Sequence, residues 1–223
     1  MPLTLAISSY FVVAAIVWWL GSRAGRTGSV VATVPYIAQL TLVVMFLFGA
    51  TGDGVEVISW IPSLSVEIAL ATNALTMILT AVVAGIGLAI VVYSAGYFSD
   101  TARRNRFTAL LLVFSGGMAG IVVSDELLGL FVFWEITTIA SYLLIGFDDD
   151  KAAARSAALE AILVTTAGGL AMLAGFVLLI MEAGASTISE IVSAPPTGLT
   201  TTIALLLVFT GAFAKSAQFP FHF

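Results

Sequence analysis

The stretch FTALLLVFSGGMAGIVVSDELLGLFVFWEITTIASYLLIG, residues 107–146, decides the class of fold. It contains two apolar runs, 107–124 and 126–146, which meet at the acidic pair Asp125-Glu126. Each run has about the length, roughly 17 to 25 residues, that an α-helix needs to cross a lipid bilayer. The stretch therefore predicts two consecutive membrane-spanning helices joined by a short turn.

The same pattern covers the rest of the chain. Of its 223 residues, 60% are hydrophobic and only 9% are charged, and the mean hydropathy is +1.12. Soluble globular domains do not have this composition. Five further apolar runs lie at 3–20, 30–50, 75–95, 157–181 and 201–223. We therefore predict an all-α polytopic membrane protein with about seven transmembrane helices, in a single transmembrane domain covering residues 1–223.

The segment between the second and third runs has a different periodicity. Residues 51–70 alternate apolar and polar side chains on both sides of Pro62. Alternation with a period of two residues is typical of β-strands. We expect a short β-hairpin on the external face of the membrane, with Trp60 at the lipid interface, where amphipathic aromatic rings are favoured.

The distribution of charge predicts an orientation. All cations except Lys215 follow the first, third and fifth apolar runs: Arg23, Arg26, Arg103, Arg104, Arg106, Lys151 and Arg155. The alternate loops carry acidic residues and no cation. Because Lys and Arg in short loops stay on the cytoplasmic side, we expect a multi-pass protein of the cytoplasmic membrane with its N-terminus outside.

Composition also excludes several kinds of site. The chain has no cysteine, which rules out disulfides, thiolate metal sites and cysteine-ligated iron–sulfur clusters. No basic patch exists outside the loops, so binding to nucleic acid is not expected. We expect neither a cofactor nor a bound metal ion.

Lys215 is a cation inside an apolar run. Burying a cation at the centre of a bilayer costs ~2.5–3.5 kcal/mol, so its side chain must face protein or water. Gln218 and His222 follow it at helical spacing. Since Pro220 lacks a backbone N–H, we expect the seventh helix to be broken near Pro220. Interrupted helices in membranes often form ion sites.

Glu135 is the second ionisable residue in an apolar run, about ten residues into the run 126–146. At helical spacing it shares a face with Phe131, Thr138 and Tyr142, which form a polar seam. A solitary buried glutamate would keep its proton, whereas a nearby lysine would favour the charged forms of both. We therefore interpret Glu135 and Lys215 as a pair that can be loaded with a proton.

Two interpretations of this pair stay open. It is either a static salt bridge that fixes helix packing or a part of an ion pathway. Buried pairs are weak evidence for stability or function in general, but ionisable residues inside membranes usually mark pathways, which favours transport. His222, the only histidine, either relays protons or forms a hydrogen bond at the membrane interface.

Two segments of the chain resemble a known family. Residues 124–147 and 211–223 are similar to the two signature segments of antiporter-like subunits. That superfamily includes the large A subunit of Mrp multisubunit sodium/proton antiporters and the antiporter-like subunits of respiratory complex I and membrane-bound hydrogenases. The segment KSAQFPFHF, residues 215–223, resembles the Mrp A subunit most closely. Residues 60–64 and 93–97 fit the N-terminal region of the same family.

The resemblance implies roles for three residues. Glu135 matches the mid-membrane glutamate of the family, Lys215 the lysine of its broken helix and His222 the histidine of the same motif, which together translocate protons. One position departs from the family, which commonly has Asp-Gly where this chain has Asn73-Ala74. Because family members continue with further helices, we expect this chain to be truncated, the N-terminal half-channel of a larger protein.

The resemblance further implies a subunit of a multisubunit sodium/proton antiporter, a secondary transporter rather than an enzyme. Its partners would be the other subunits of a hetero-oligomeric complex, the lipid bilayer, protons and a monovalent cation. An alternative is an antiporter-like proton-pumping subunit of an NADH:quinone oxidoreductase or a membrane-bound hydrogenase complex. A third possibility, of another class, is a structural membrane scaffold whose buried pair only holds helices together.

Overall fold

A computed structural model describes residues 2–25, 27–61 and 66–222 of the chain. Arg26 and Pro62, which figure in the predictions above, lie outside these residues. The helices are α1 (Pro2–Leu20), α2 (Thr27–Val31), α3 (Val34–Leu47), α4 (Ala74–Tyr97), α5 (Thr101–Val123), α6 (Leu127–Ile145), α7 (Ala152–Ala183), α8 (Ile188–Ser193) and α9 (Leu199–Lys215). A 3-10 turn covers Gly21–Ala24, and the strands are β1 (Gly54–Ile61) and β2 (Val66–Thr72).

Each of the seven predicted apolar runs corresponds to helical structure. Within the described residues, six helical spans are long and apolar enough to cross a membrane, and Thr27–Leu47, which combines α2 and α3, is one of them. The seventh, α9, is shorter and ends at Lys215. The prediction of a polytopic all-α membrane protein is confirmed.

The seventh run was expected to be helical over residues 201–223, and this boundary is wrong. α9 stops five residues before Pro220, and the chain continues through turns. Gln218 and His222 therefore do not share a helical face with Lys215. The predicted break near Pro220 is present, but the helix already ends before the proline, where Ala217 takes a positive φ of 49°.

The predicted hairpin is confirmed: β1 and β2 form a two-stranded sheet between α3 and α4. The chain then enters α4 through a capping box. The side chain of Asn73 accepts a hydrogen bond from the backbone N–H of Thr76 (3.0 Å), and the Thr76 hydroxyl accepts one from the N–H of Asn73 (2.9 Å). Asn73 thus has a structural role as a helix cap.

The chain divides into two compact units, which we call unit 1 (residues 1–56 and 70–123) and unit 2 (residues 57–69 and 124–223). Unit 1 packs α1, α3, α4 and α5 around buried polar side chains. Tyr10 donates a hydrogen bond to Gln39 (2.8 Å), and the hydroxyls of Tyr36 and Ser115 are 2.8 Å apart. The two tyrosine rings meet edge to face at 4.9 Å. These contacts satisfy polar groups that would be costly in an apolar interior.

Charges occupy opposite ends of unit 1. At one end, Arg104 donates to the carbonyl of Gly25 (2.6 Å), which joins the start of α5 to the segment after α1. At the other, the Glu56 carboxylate accepts hydrogen bonds from the backbone N–H groups of Leu3 (3.0 Å) and Thr4 (3.2 Å) at the start of α1. The cationic and acidic loops of this unit are therefore separated by the length of α1.

Unit 2 contains α6, α7, α8 and α9, with α7 packed along both α6 and α9. Its core consists of Leu127, Met172, Phe176, Leu179 and Ala204. Small residues bring α7 and α9 close together, because a β-carbon at Gly168 would lie 2.5 Å from that of Ala214. Small residues permit such close contact between helices in membranes.

Two acidic residues organise the entry to α6. Glu126 is the N-cap, and its carboxylate accepts a hydrogen bond from the N–H of Gly129 (2.5 Å). Asp125 accepts hydrogen bonds from the backbone N–H (3.1 Å) and hydroxyl (2.6 Å) of Ser189 in α8. Burial raises the pKa of Glu126 above its ordinary value, and the hydrogen bonds only partly offset this effect. Acids at this end of a helix complement its dipole.

Candidate functional site

Lys215 is the last residue of α9, and its amino group reaches α6. Nζ donates hydrogen bonds to the hydroxyl oxygens of Thr137 (2.8 Å) and Thr138 (2.9 Å). It also lies 5.1 Å from the centre of the Trp134 ring, within the range of a cation–π contact. The three N–H donors of an ammonium group thus face two hydroxyls and an aromatic ring.

The two hydroxyls are oriented by the backbone of α6. Thr137 donates its proton to the carbonyl oxygen of Trp134 (2.7 Å), and Thr138 donates to the same oxygen (3.1 Å). A hydroxyl that donates its single proton in this way keeps its lone pairs for a donor on the other side. The α6 turn 134–138 therefore presents acceptors to Lys215.

The end of α9 also favours a cation. The N–H of Ser216 bonds to the carbonyl of Ala212 (3.0 Å), and Ala217 has a positive φ of 49° that turns the chain out of the helix. The carbonyl ends of a helix carry partial negative charge, which stabilises a positive group in the last turn. Lys215 occupies that position.

Glu135 lies beside this cluster but does not pair with Lys215. Among the residues that the structure describes, no ion pair joins them, although their charges interact electrostatically. The carboxylate packs on α7, since a β-carbon at Gly169 would be 2.5 Å from Oε1. Oε1 is buried and has no hydrogen-bond partner within the described part of the chain. The structure thus brings the two residues into one site without direct contact.

A cavity of about 300 Å³ opens beside Lys215 between α6, α7 and α9. Its polar lining comes from Thr138, Ser141, Tyr142, Thr165 and Lys215. A space of this volume with several polar groups can hold water molecules. Lys215 therefore touches α6 on one side and a space suited to water on the other.

His222 takes a different position. It follows α9 in the terminal segment, is exposed, and packs its ring against Phe219 with the ring centres 5.5 Å apart. It is not one of the residues that line the cavity in the described structure. Within the same described residues, no group of three His, Asp or Glu side chains forms a metal site.

Sequence reasoning missed three contributors to this site: Trp134, Thr137 and Gly169. The predicted polar seam included Thr138 and Tyr142, which do line the cavity. Thr137 was missed because it is two residues from Glu135 and thus falls off that seam. The signal for Gly169 was present in the Gly168-Gly169 pair, but only the structure shows that the two glycines face different helices.

Comparison with known proteins identifies the family. Residues 124–223 match the family described as NADH:quinone oxidoreductase/Mrp antiporter, transmembrane. Residues 58–108 match the family described as the N-terminus of chain 5 of NADH-ubiquinone oxidoreductase, complex I. The first of these matches contains Glu135, Lys215 and His222.

Curated relatives are bacterial antiporter subunits. The chain is 36% identical over 224 residues to the A subunit of the Na(+)/H(+) antiporter of Alkalihalophilus pseudofirmus, covering 97% of this chain and 28% of that protein. It is 34% identical over 199 residues to the A1 subunit of the Na(+)/H(+) antiporter of Staphylococcus aureus, covering 86% of this chain and 24% of that one. The chain thus spans about a quarter of the length of these relatives.

Solved structures of two membrane complexes contain chains with the same fold. A chain of the Mrp complex from Dietzia sp. DQ12-45-1b is 32% identical, with a TM-score of 0.86 over 100% of this chain and 24% of its own length. A chain of the archaeal membrane-bound sulfane sulfur reductase shares the fold at a TM-score of 0.79 and 18% identity, over 100% of this chain and 35% of its own. Together, these matches show that the chain belongs to the NADH:quinone oxidoreductase/Mrp antiporter family of membrane proteins and corresponds to the N-terminal part of an Mrp-type A subunit.

Proposed function

We propose that this chain is part of a subunit of a multisubunit monovalent cation (sodium)/proton antiporter and that protons pass through Glu135 and Lys215. The observation that carries the proposal is the position of Lys215, a cation at the end of a broken apolar helix, held by α6 and open to a polar cavity. An ionisable group in a membrane helix is costly, and such residues usually mark ion pathways. The relatives named as sodium/proton antiporter subunits support the same activity.

The contacts of Lys215 suit a group that gains and loses protons. Its ammonium form is stabilised by two hydroxyl acceptors and an aromatic ring. The cavity gives water access to the amine, so that a proton can leave and return. A static ion pair would instead be expected to join the ammonium directly to a carboxylate.

Glu135 is the second proton carrier in this proposal. Its carboxylate is close enough to Lys215 for their charges to interact, but neither neutralises the other by contact. Loss of a proton from Lys215 removes a positive charge from the surroundings of Glu135, and so favours uptake of a proton by the carboxylate. Proton movements at the two residues are thereby coupled.

The wider assignments are proposals of the same kind. The complex would lie in the cytoplasmic membrane with the N-terminus of this chain outside, and it would act as a secondary transporter rather than an enzyme. Its other subunits would complete the ion path, with the chain described here as one transmembrane domain and half-channel of a longer protein. His222 is included in the proton route on the strength of the sequence motif alone.

The test is transport by the complete complex reconstituted in vesicles. An imposed sodium gradient should drive proton movement, measured with an entrapped pH-sensitive dye, and Lys215→Ala should abolish it while the complex still assembles. Thr210→Val is the matched control, because this residue lies on the same helix but its hydroxyl bonds to the carbonyl of Leu206 on that helix (2.9 Å). Normal exchange by Lys215→Ala would refute the proposal.

A second candidate is an antiporter-like proton-pumping subunit of an NADH:quinone oxidoreductase or membrane-bound hydrogenase complex. The family description names NADH:quinone oxidoreductase, and the fold is shared with a respiratory complex, the sulfane sulfur reductase. In this case proton movement should require an electron donor and acceptor and should be indifferent to a sodium gradient. The same vesicles, supplied with NADH and a quinone in place of the gradient, distinguish the two.

The third candidate, a structural scaffold, predicts a different outcome for the Lys215→Ala variant. If the lysine only holds α9 against α6, its removal should lower the yield of assembled complex. A transporter should instead assemble normally and lose exchange. Size-exclusion chromatography of the solubilised complex separates these outcomes from the transport assay.

A further inference from the structure

We propose that Thr137 and Thr138 are positioning residues that hold the Lys215 ammonium and favour its protonated form during exchange. This inference rests on the proposed function and deepens it. It concerns two uncharged residues to which the proposed proton route assigns no role.

The geometry of the hydroxyls carries the inference. Both are within 2.9 Å of Nζ, and both side chains are almost completely buried. Because each hydroxyl donates its proton to the carbonyl oxygen of Trp134, each can only accept a hydrogen bond from Lys215. A neutral amine could also donate to both oxygens, but hydrogen bonds from a charged donor are stronger, so the two acceptors favour the ammonium form.

Their location also explains why the ammonium does not contact Glu135. Thr137 and Thr138 follow Glu135 on α6 and point to the side of the helix where α9 ends. The carboxylate points instead to Gly169 on α7. The threonine pair, which we define as Thr137 and Thr138, thus contacts the ammonium, while the carboxylate packs on a different helix.

Among the residues that the structure describes, few other titratable groups lie near Lys215. From α6, Glu135 and Tyr142 face the site, and from α7 the cavity lining includes Thr165 but no titratable residue, Glu160 being exposed. After α9, the segment with exposed His222 follows. The hydroxyls are therefore major local determinants of the charge on Lys215, alongside the Glu135 carboxylate.

The experiment compares the pH dependence of sodium/proton exchange in the complete complex. Thr137→Val and Thr138→Val keep the side-chain shape and remove the acceptor. The double variant should shift the alkaline limb of the exchange profile toward lower pH by about one unit or more, which corresponds to about 1.4 kcal/mol per unit. Each single variant should give a smaller shift in the same direction.

The controls separate positioning from general damage. Thr137→Ser and Thr138→Ser retain the hydroxyl and should keep the wild-type profile, and Thr210→Val should also leave it unchanged. If the double valine variant fails to assemble, the single valine variants are compared with the serine variants. A shift of the alkaline limb in the valine variants alone then supports a positioning role, and no shift contradicts it.

The outcomes also separate this inference from the proposed function. If the wild type exchanges, Lys215→Ala does not, and the valine variants retain the wild-type profile, the threonine pair has no positioning role although the function stands. If Lys215→Ala exchanges normally, the proposed function itself fails. A shift with the valine variants and none with the serine variants supports both.

Discussion

The carboxylate of Glu135 on α6 lies where a side chain at Gly169 of α7 would otherwise be. A β-carbon added to Gly169 would be 2.5 Å from Oε1 of Glu135, closer than such atoms approach in proteins. A glycine in a helix interior is usually unfavourable, by about 1 kcal/mol relative to alanine. At this position it makes room for an acid between two helices.

Gly169→Ala should therefore displace the Glu135 carboxylate and impair exchange, while the complex still assembles. The matched control is Gly85→Ala on α4, where an added β-carbon meets no atom within 4 Å. Exchange is measured in vesicles with equal amounts of assembled complex. Equal rates for the two variants would show that the position of the carboxylate is not critical.

Contact between α7 and α9 gives a second prediction. A β-carbon at Gly211 would lie 2.6 Å from that of Met172 and 2.8 Å from the carbonyl oxygen of Gly168. Since backbone cannot easily yield, Gly211→Ala should destabilise the complex by about 1–3 kcal/mol, as overpacking generally does. Thermal unfolding of the purified complex measures the effect, with Gly96→Ala, which has open space around it, as the control.

Much of this architecture can be predicted from the amino-acid sequence. Runs of apolar residues predict the spans because a bilayer imposes both their length and their composition. A break near Pro220 can be predicted, because a proline cannot continue a helix. The exact end of α9 cannot, because the helix stops five residues before the proline, at a turn made by Ala217 that no simple pattern marks.

The site itself was only partly predictable. Burying an acid or a base in a bilayer costs free energy, so ionisable residues inside apolar runs are candidate functional residues. Glu135 and Lys215 can be identified from the sequence in this way. Threonines are common in membrane helices and often bond to their own backbone, as Thr165 does with Ala161 (2.7 Å). Nothing in the sequence distinguishes Thr137, which does the same and also binds Lys215, because that contact depends on the packing of α9.

The buried hydroxyl pair of unit 1 gives a third prediction. Ser115→Ala removes the hydrogen-bond partner of Tyr36, whose side chain is fully buried. Leaving a buried hydroxyl without a partner costs about 1–3 kcal/mol, so the thermal midpoint of the complex should fall. Ser9→Ala is the control, since Ser9 bonds only to a carbonyl of its own helix (2.6 Å). Matching midpoints would contradict a stabilising role for the Tyr36–Ser115 contact.

The contacts of Glu56 lead us to expect that the stability of the start of α1 depends on pH. Burial raises the pKa of its carboxyl, but the hydrogen bonds from Leu3, Thr4 and other donors together outweigh burial and lower the pKa below its ordinary value of 4.5. A lowered carboxyl pKa contributes stability that is present above that ordinary value and is lost as the pH falls through the lowered pKa.

Hydrogen exchange at the amides of Leu3 and Thr4 is the measurement. Their protection, corrected for the intrinsic rate, should decrease as the pH falls below about 4.5. Glu56→Gln should weaken protection at neutral pH and remove this acid-dependent step. An unchanged step in the variant would assign the effect to another group.

We propose that Glu135 and Lys215 act as one coupled pair in ion exchange. The most direct test measures sodium/proton exchange by the complete complex with Glu135→Gln, with Lys215→Ala and with both changes together. We predict that all three variants assemble, that each single change abolishes exchange, and that the double variant is no worse than either. Wild-type exchange rates in the assembled single variants would contradict the claim.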